Sequence, residues 1–166
     1  MIKLKDIIKE GKTKKITKPN IFVPIDVDKR LDEYIKYFIQ NQINNPDATL
    51  DLIGSDLTEI PEVIKDLEIK GSFRCSYNEL TSLKNSPRIV GGDFLCNHNR
   101  LTTLEGATEY IGGTFQCSNN KLDNLDGCPK SVRGDFICIN NPTIFSPRMI
   151  KKICKVGGRA ISDFSK

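Results

Sequence analysis

A 21-residue repeat constrains what this chain can fold into more than any other feature. Aligned at that period, residues 71–142 read GSFRCSYNELTSLKNSPRIVG, GDFLCNHNRLTTLEGATEYIG, GTFQCSNNKLDNLDGCPKSVR and GDFICINNP. Phe73, Phe94, Phe115 and Phe136 fall in register, as do Cys75, Cys96, Cys117 and Cys138, and Asn78, Asn99, Asn120 and Asn141. Leucine columns follow at 80, 101 and 122 and at 83, 104 and 125, and Ile69, Val90, Ile111 and Val132 close each unit. A fixed period in this range marks a solenoid, whose units bury their apolar side only by stacking on one another.

Within one unit, F-x-C is a two-residue alternation that sends Phe and Cys to one face of a short strand. The chain then turns, and Asn and Leu point back inward. This F-x-C-x-x-N-x-L pattern resembles the leucine-rich repeat signature L-x-L-x-x-N-x-L, with Phe and Cys in place of the first two leucines. The resemblance spans residues 48–145. It implies a parallel sheet with one strand per unit on a concave side, and an Asn column bonded to backbone between turns. With V-x-G-x-F-x-C and a Pro near its end, the unit is similar to the short type of bacterial and bacteriophage proteins. Its convex segment is too short for a helix. A divergent first unit fits the same frame at a spacing of 23, with Leu50, Leu52, Ser55, Leu57 and Ile60.

The expected fold is therefore an α/β solenoid, a short leucine-rich-repeat array of about five units with a parallel sheet and a helical cap at each end. Residues 1–47 form a basic segment and N-terminal helical cap, 48–145 the repeats, and 146–166 a C-terminal helical cap and tail. The N-terminal helix is expected from an Asp28 cap to about Asn44, before the Asn45–Pro46 step, with Leu31, Tyr34, Ile35, Phe38 and Ile39 on one face. After Asn141 the repeat decays. Ser146–Pro147 then opens a second helix with an apolar side of Met149, Ile150, Ile153 and Cys154, stopped at Gly157–Gly158. The remaining GRAISDFSK reads as a tail.

Charge is uneven along the chain. Residues 1–18 hold seven lysines against two acids, and residues 148–166 hold six basic residues against one acid. With a net charge of +4 overall, the body between them is acidic. Basic ends, with Lys12, Lys14 and Lys15 at their densest, suit either a nucleic-acid contact or ordinary solvated surface. No apolar run is long enough to span a membrane, and MIKLKDIIKEGK lacks a secretory pattern, so a cytoplasmic location is expected.

The residue types that carry chemistry have structural roles in this pattern. Four of the six cysteines form a line along the array, whereas zinc needs ligands gathered around a point. The cysteines read as small buried hydrophobes, with Cys128 in a buried convex position beside Pro129. The Asn column satisfies backbone groups, and the glycines at 71, 92, 113 and 134 fit tight bends into each strand. His98 is the only histidine and has no nucleophile arranged around it. No metal, cofactor, small-molecule substrate or enzymatic activity is expected.

Outward strand positions remain. Alternation places Arg74, Leu95, Asn97, Gln116, Ile137 and Ile139 on the exposed face, among small polar neighbours. Leu95, Ile137 and Ile139 are apolar where water is expected, which marks either a contact site or a surface covered by the C-terminal segment. Tyr77 and His98, one repeat apart, extend the patch. By resemblance, the chain is expected to be a protein-interaction module, a phage-type accessory protein binding a host or virion protein through the sheet. A nucleic-acid-associated protein using its basic ends and an architectural subunit of a larger assembly are the alternatives.

Overall fold

A computed structural model of the chain describes residues 27–165. The chain divides into two compact units, Met1–Ile43 and Asn44–Lys166. In the first, helix α1 runs Val27–Asn41. Ile35 and Phe38 are buried and Leu31, Tyr34 and Ile39 half-buried, the face expected from the 3.6-residue period. Asp28 falls inside the first turn rather than at the cap, and the helix ends three residues before the expected Asn44.

The second unit is a β-solenoid of about five coils built from two parallel sheets. One has six strands: β1 (Leu50–Asp51), β3 (Phe73–Arg74), β5 (Phe94–Leu95), β7 (Phe115–Gln116), β9 (Phe136–Ile137) and β11 (Ala160–Ile161). The other has five: β2 (Glu68–Ile69), β4 (Ile89–Val90), β6 (Tyr110–Ile111), β8 (Ser131–Val132) and β10 (Lys155–Val156). The repeat implied one sheet. The second arises because the closing Ile/Val column pairs along the array just as the Phe column does, with Ile69 beside Val90 and Ile111 beside Val132.

Stacking seals the core. The Phe rings meet edge-on in a continuous ladder, with centroids 5.1, 5.5 and 5.2 Å apart. Such edge-to-face pairs add about 0.5–1.5 kcal/mol each beyond burial. The Cys and Leu columns are buried beside them. Coils are tied by backbone bonds, such as those from the Phe73 and Cys75 N–H groups to the Asp93 and Leu95 carbonyls, both at 2.9 Å. The bend glycines permit this closeness: a Cβ at Gly112 would lie 2.0 Å from the Gly91 carbonyl oxygen.

The Asn column does what its spacing implied. Asn99 Nδ2 donates to the Cys75 and Cys96 carbonyls at 3.0 and 3.1 Å, and its Oδ1 accepts from the Leu80 N–H at 3.0 Å. Each Asn thus bonds its own coil and the one before. In the divergent first unit, Asn78 Oδ1 reaches the Ser55 and Leu57 N–H groups at 2.9 and 3.0 Å.

The C-terminal region departs from expectation. Helix α2 is short, Pro147–Ile153, with the Met149 N–H donating to the Ser146 hydroxyl at 3.2 Å as the Ser-Pro start implied. Of its expected apolar side, Ile150 and Cys154 are buried but Met149 and Ile153 are exposed. Gly157–Gly158 do not stop the helix. They bend the chain between β10 and β11, as Gly91–Gly92 do between β4 and β5, and the Gly158 N–H donates to the Gly134 carbonyl at 3.0 Å. The expected tail is therefore sheet: Ala160 pairs with Phe136 and Ile161 with Ile137.

Candidate functional site

The outer face of the six-stranded sheet carries one side-chain column through the middle of its strands. Register places Asp51, Arg74, Leu95, Gln116, Ile137 and Ile161 side by side. Strands in such a ladder stand about 4.8 Å apart, so the column changes from charged to apolar within a few strand spacings. At the charged end an Arg74 Nη1 lies 3.7 Å from Asp51 Oδ2, while the buried Arg74 Nε has no hydrogen-bond partner among the described residues. Leu95, Gln116, Ile137 and Ile161 are half-buried.

Ile161 belongs to this surface, although the sequence pattern places it in the tail. The C-terminal segment does not cover Ile137; it adds a strand beside it and widens the apolar end. A signal existed in the sequence. KVGGRAIS matches SVRGDFIC at a spacing of 24, with Ala and Ser at the Phe and Cys positions.

The residue after each Cys does not follow the alternation. Ser76, Asn97 and Ser118 are buried, and the Ser76 hydroxyl donates to Asn97 Oδ1 at 2.6 Å. Strands only two residues long end before this position, and the turn that brings the next Asn inward brings this residue in as well. Asn97 is accordingly a coil-to-coil link at 9% exposure rather than part of the exposed face. Ile139, at the same position one coil further than Ser118, is half-buried.

Tyr77 and His98 occupy the next position, where the backbone is left-handed in five successive coils: φ is 59° at Gly54, 57° at Tyr77, 56° at His98, 55° at Asn119 and 54° at Asn140. Gly and Asn suit this conformation; a Tyr or His there is strained by about 1 kcal/mol. The two rings stack, with centroids 4.2 Å apart and planes at 10°. Tyr77 is 58% exposed. Further along, Asn140 Nδ2 donates to Asn119 Oδ1 at 3.0 Å, and the Asn140 N–H donates to Asp163 Oδ2 at 2.6 Å.

At the sheet's last strand Arg159 grips Asp135, with Nη2 and Nε donating to Oδ2 at 2.7 and 3.1 Å and the Arg159 N–H to Oδ1 at 2.7 Å. These bonds hold the Asp135 carboxyl below its ordinary range. The column thiols are the opposite case. Burial pushes Cys75, Cys96 and Cys117 up, and Cys138 up to about 12. Such thiols are poor nucleophiles and poor metal ligands. Cys128 is half-buried rather than buried. It borders an open groove of about 590 Å³ beside α2, lined also by Leu125, Phe145, Met149, Lys152 and Ile153. No group of three or more metal-binding side chains occurs among the described residues. No helix among them is long and apolar enough to cross a membrane. Lys12, Lys14 and Lys15 lie outside the described residues.

Comparison of the chain with protein-family models, with curated proteins and with solved structures finds no match.

Proposed function

We propose that this chain is a non-enzymatic interaction module of the leucine-rich-repeat kind, presenting the outer face of its six-stranded sheet to a protein partner. The observation that carries the reading is the apolar end of the outward column, where Ile137 and Ile161 stand side by side and Leu95 lies two strands away, on a face whose other positions are charged or polar. Apolar side chains in that setting gain by being covered. The buried Phe, Cys, Asn and Leu ladders hold the strands in register, so the face is presented rigidly and a partner binds without ordering it first. Gln116 stands between Leu95 and Ile137 in the column, and Arg74, Tyr77 and His98 toward its charged end supply polar and aromatic specificity.

In the same reading, α2 acts as a cap that keeps the C-terminal end of the array soluble. The similarity to short bacterial and bacteriophage repeats directs the search for the partner to host or virion proteins. The test is a tagged pull-down from bacterial lysate at low and high salt, with Leu95→Asp/Ile137→Asp beside wild type. A protein captured by wild type and lost with the double variant is the expected result. Capture that survives the substitutions but vanishes at high salt moves the contact to the basic ends and refutes the sheet-face reading.

A further inference from the structure

The left-handed ridge is a ladder of side chains with one empty rung. Asn119 and Asn140 join amide to amide, and Tyr77 and His98 join ring to ring, but the first rung is Gly54. Because the two rings are nearly parallel and one coil apart, the Tyr77 face turned away from His98 looks along the ladder toward Gly54. Among the described residues, a Cβ built on Gly54 would meet a single atom within 4 Å outside its chain neighbours, the Tyr77 carbonyl oxygen at 3.9 Å. Among the described residues the rung is open space, bordered by the Tyr77 backbone and one coil along from the Tyr77 ring.

Its neighbours set the charge. Ile53, 44% exposed, precedes it, and Asp56 lies two residues beyond. The equivalent position in the next coil is Glu79, which is paired with Arg100 at 2.7 Å. Asp56 is exposed and has no ion pair among the described residues. The first coil as a whole, residues 47–70, carries seven acids against two lysines, with Asp51 and Glu68 paired to Arg74 and Arg88 of the next coil.

We propose that this slot binds an arginine side chain from a basic protein segment, its guanidinium stacked on the free face of Tyr77 and balanced by Asp56. A guanidinium is planar, weakly hydrated and attracted to an aromatic face, so it fits where the next ring of the stack would lie. An ammonium has no plane to stack. A nucleobase has one, but its phosphates would meet the acidic first coil. The slot shares Tyr77 with the edge of the sheet-face reading but does not use Leu95 or Ile137, so substitutions there distinguish the two.

The experiment titrates the full chain with the synthetic peptide (Arg-Gly)4, following the Tyr77 ring and Gly54 amide resonances by NMR. Saturable shifts at both are expected, with (Lys-Gly)4 binding several-fold more weakly, on the order of what loss of stacking implies. Gly54→Asn fills the rung with a residue that already adopts this backbone at Asn119 and Asn140, so the fold is retained while affinity falls by about tenfold or more. Tyr77→Asn is expected to weaken binding likewise, and Leu95→Asp/Ile137→Asp to leave it unchanged. The proposal is overturned if (Arg-Gly)4 does not saturate, if (Lys-Gly)4 binds equally, or if affinity survives Gly54→Asn. It is also overturned if the oligonucleotide dT8 competes at the Tyr77 ring.

Discussion

Asn99→Ala tests the link between the Asn column and the stability of the array. Asn99 is 8% exposed and makes three strong contacts: its Nδ2 donates to the Cys75 and Cys96 carbonyls, and its Oδ1 accepts from the Leu80 N–H. Truncation does not orphan all three. The Cys75 carbonyl keeps a bond from Asn78 at 3.1 Å, and the Cys96 carbonyl keeps one from Asn120 at 3.1 Å. The Leu80 N–H loses its acceptor and stays buried. An unsatisfied buried N–H costs about 1–3 kcal/mol, and the two shared bonds add about 0.5 kcal/mol each, so the expected loss is about 2–4 kcal/mol. Asn99→Asp sharpens the argument. It keeps an acceptor for Leu80 but sets a carboxylate oxygen where an amide faced two carbonyl oxygens. The folded-state pKa of that Asp must therefore rise above the unfolded value of about 3.9. A raised carboxyl pKa gives stability that is fully present below the unfolded value and is lost as pH rises through the folded one. Asn99→Asp should thus be at least as damaging as Asn99→Ala at pH 7 and recover toward wild type near pH 4. Urea denaturation followed by circular dichroism at both pH values measures this. An Asn99→Ala loss below about 0.5 kcal/mol, or an Asn99→Asp deficit indifferent to pH, would refute the reasoning.

Two further outcomes are expected. The Asp135 carboxyl is held low chiefly by its hydrogen bonds from Arg159, so the docking of β11 gains from this pair above the unfolded carboxylate pKa of about 3.9 and loses it as pH falls through the lower folded value. Amide exchange by NMR should show the Cys138 N–H, bonded to Ile161, losing protection on acidification before the Phe94 N–H in the middle of the sheet; simultaneous loss at both would count against a local clamp. The second concerns the thiols. The Cys75, Cys96, Cys117 and Cys138 thiols are raised by burial. Cys154 is lowered by its hydrogen bond with Cys128 but buried, and Cys128 is raised by the same bond but half-buried. A colorimetric thiol reagent should therefore modify at most Cys128, and that slowly, in the native protein and all six cysteines in denaturant. Rapid reaction of several thiols under native conditions would mean that the core is not sealed.

Period and residue type alone set the inward columns. Phe94, Cys96, Asn99, Leu101 and Leu104 have to face one interior because a single coil has too little apolar surface to fold by itself, and every coil shares their spacing. Arg74, Leu95, Gln116 and Ile137 follow as the outward partners of that alternation. Pairing between coils decided the rest. A two-residue strand has no alternation to read, so the second sheet at Val90 and Ile111 is defined by the neighbouring coil rather than by its own pattern. The same shortness turns Asn97 inward, since strand geometry ends before it. Ala160 and Ser162 lack the Phe and Cys that mark a unit, yet the open edge of β9 supplies hydrogen-bonding groups that any backbone can meet, and the chain after α2 returns to meet them. Gly54 is legible as a glycine, but its meaning as an empty rung beside the Tyr77 ring depends on a stack that exists only once coils separated by more than twenty residues lie against one another.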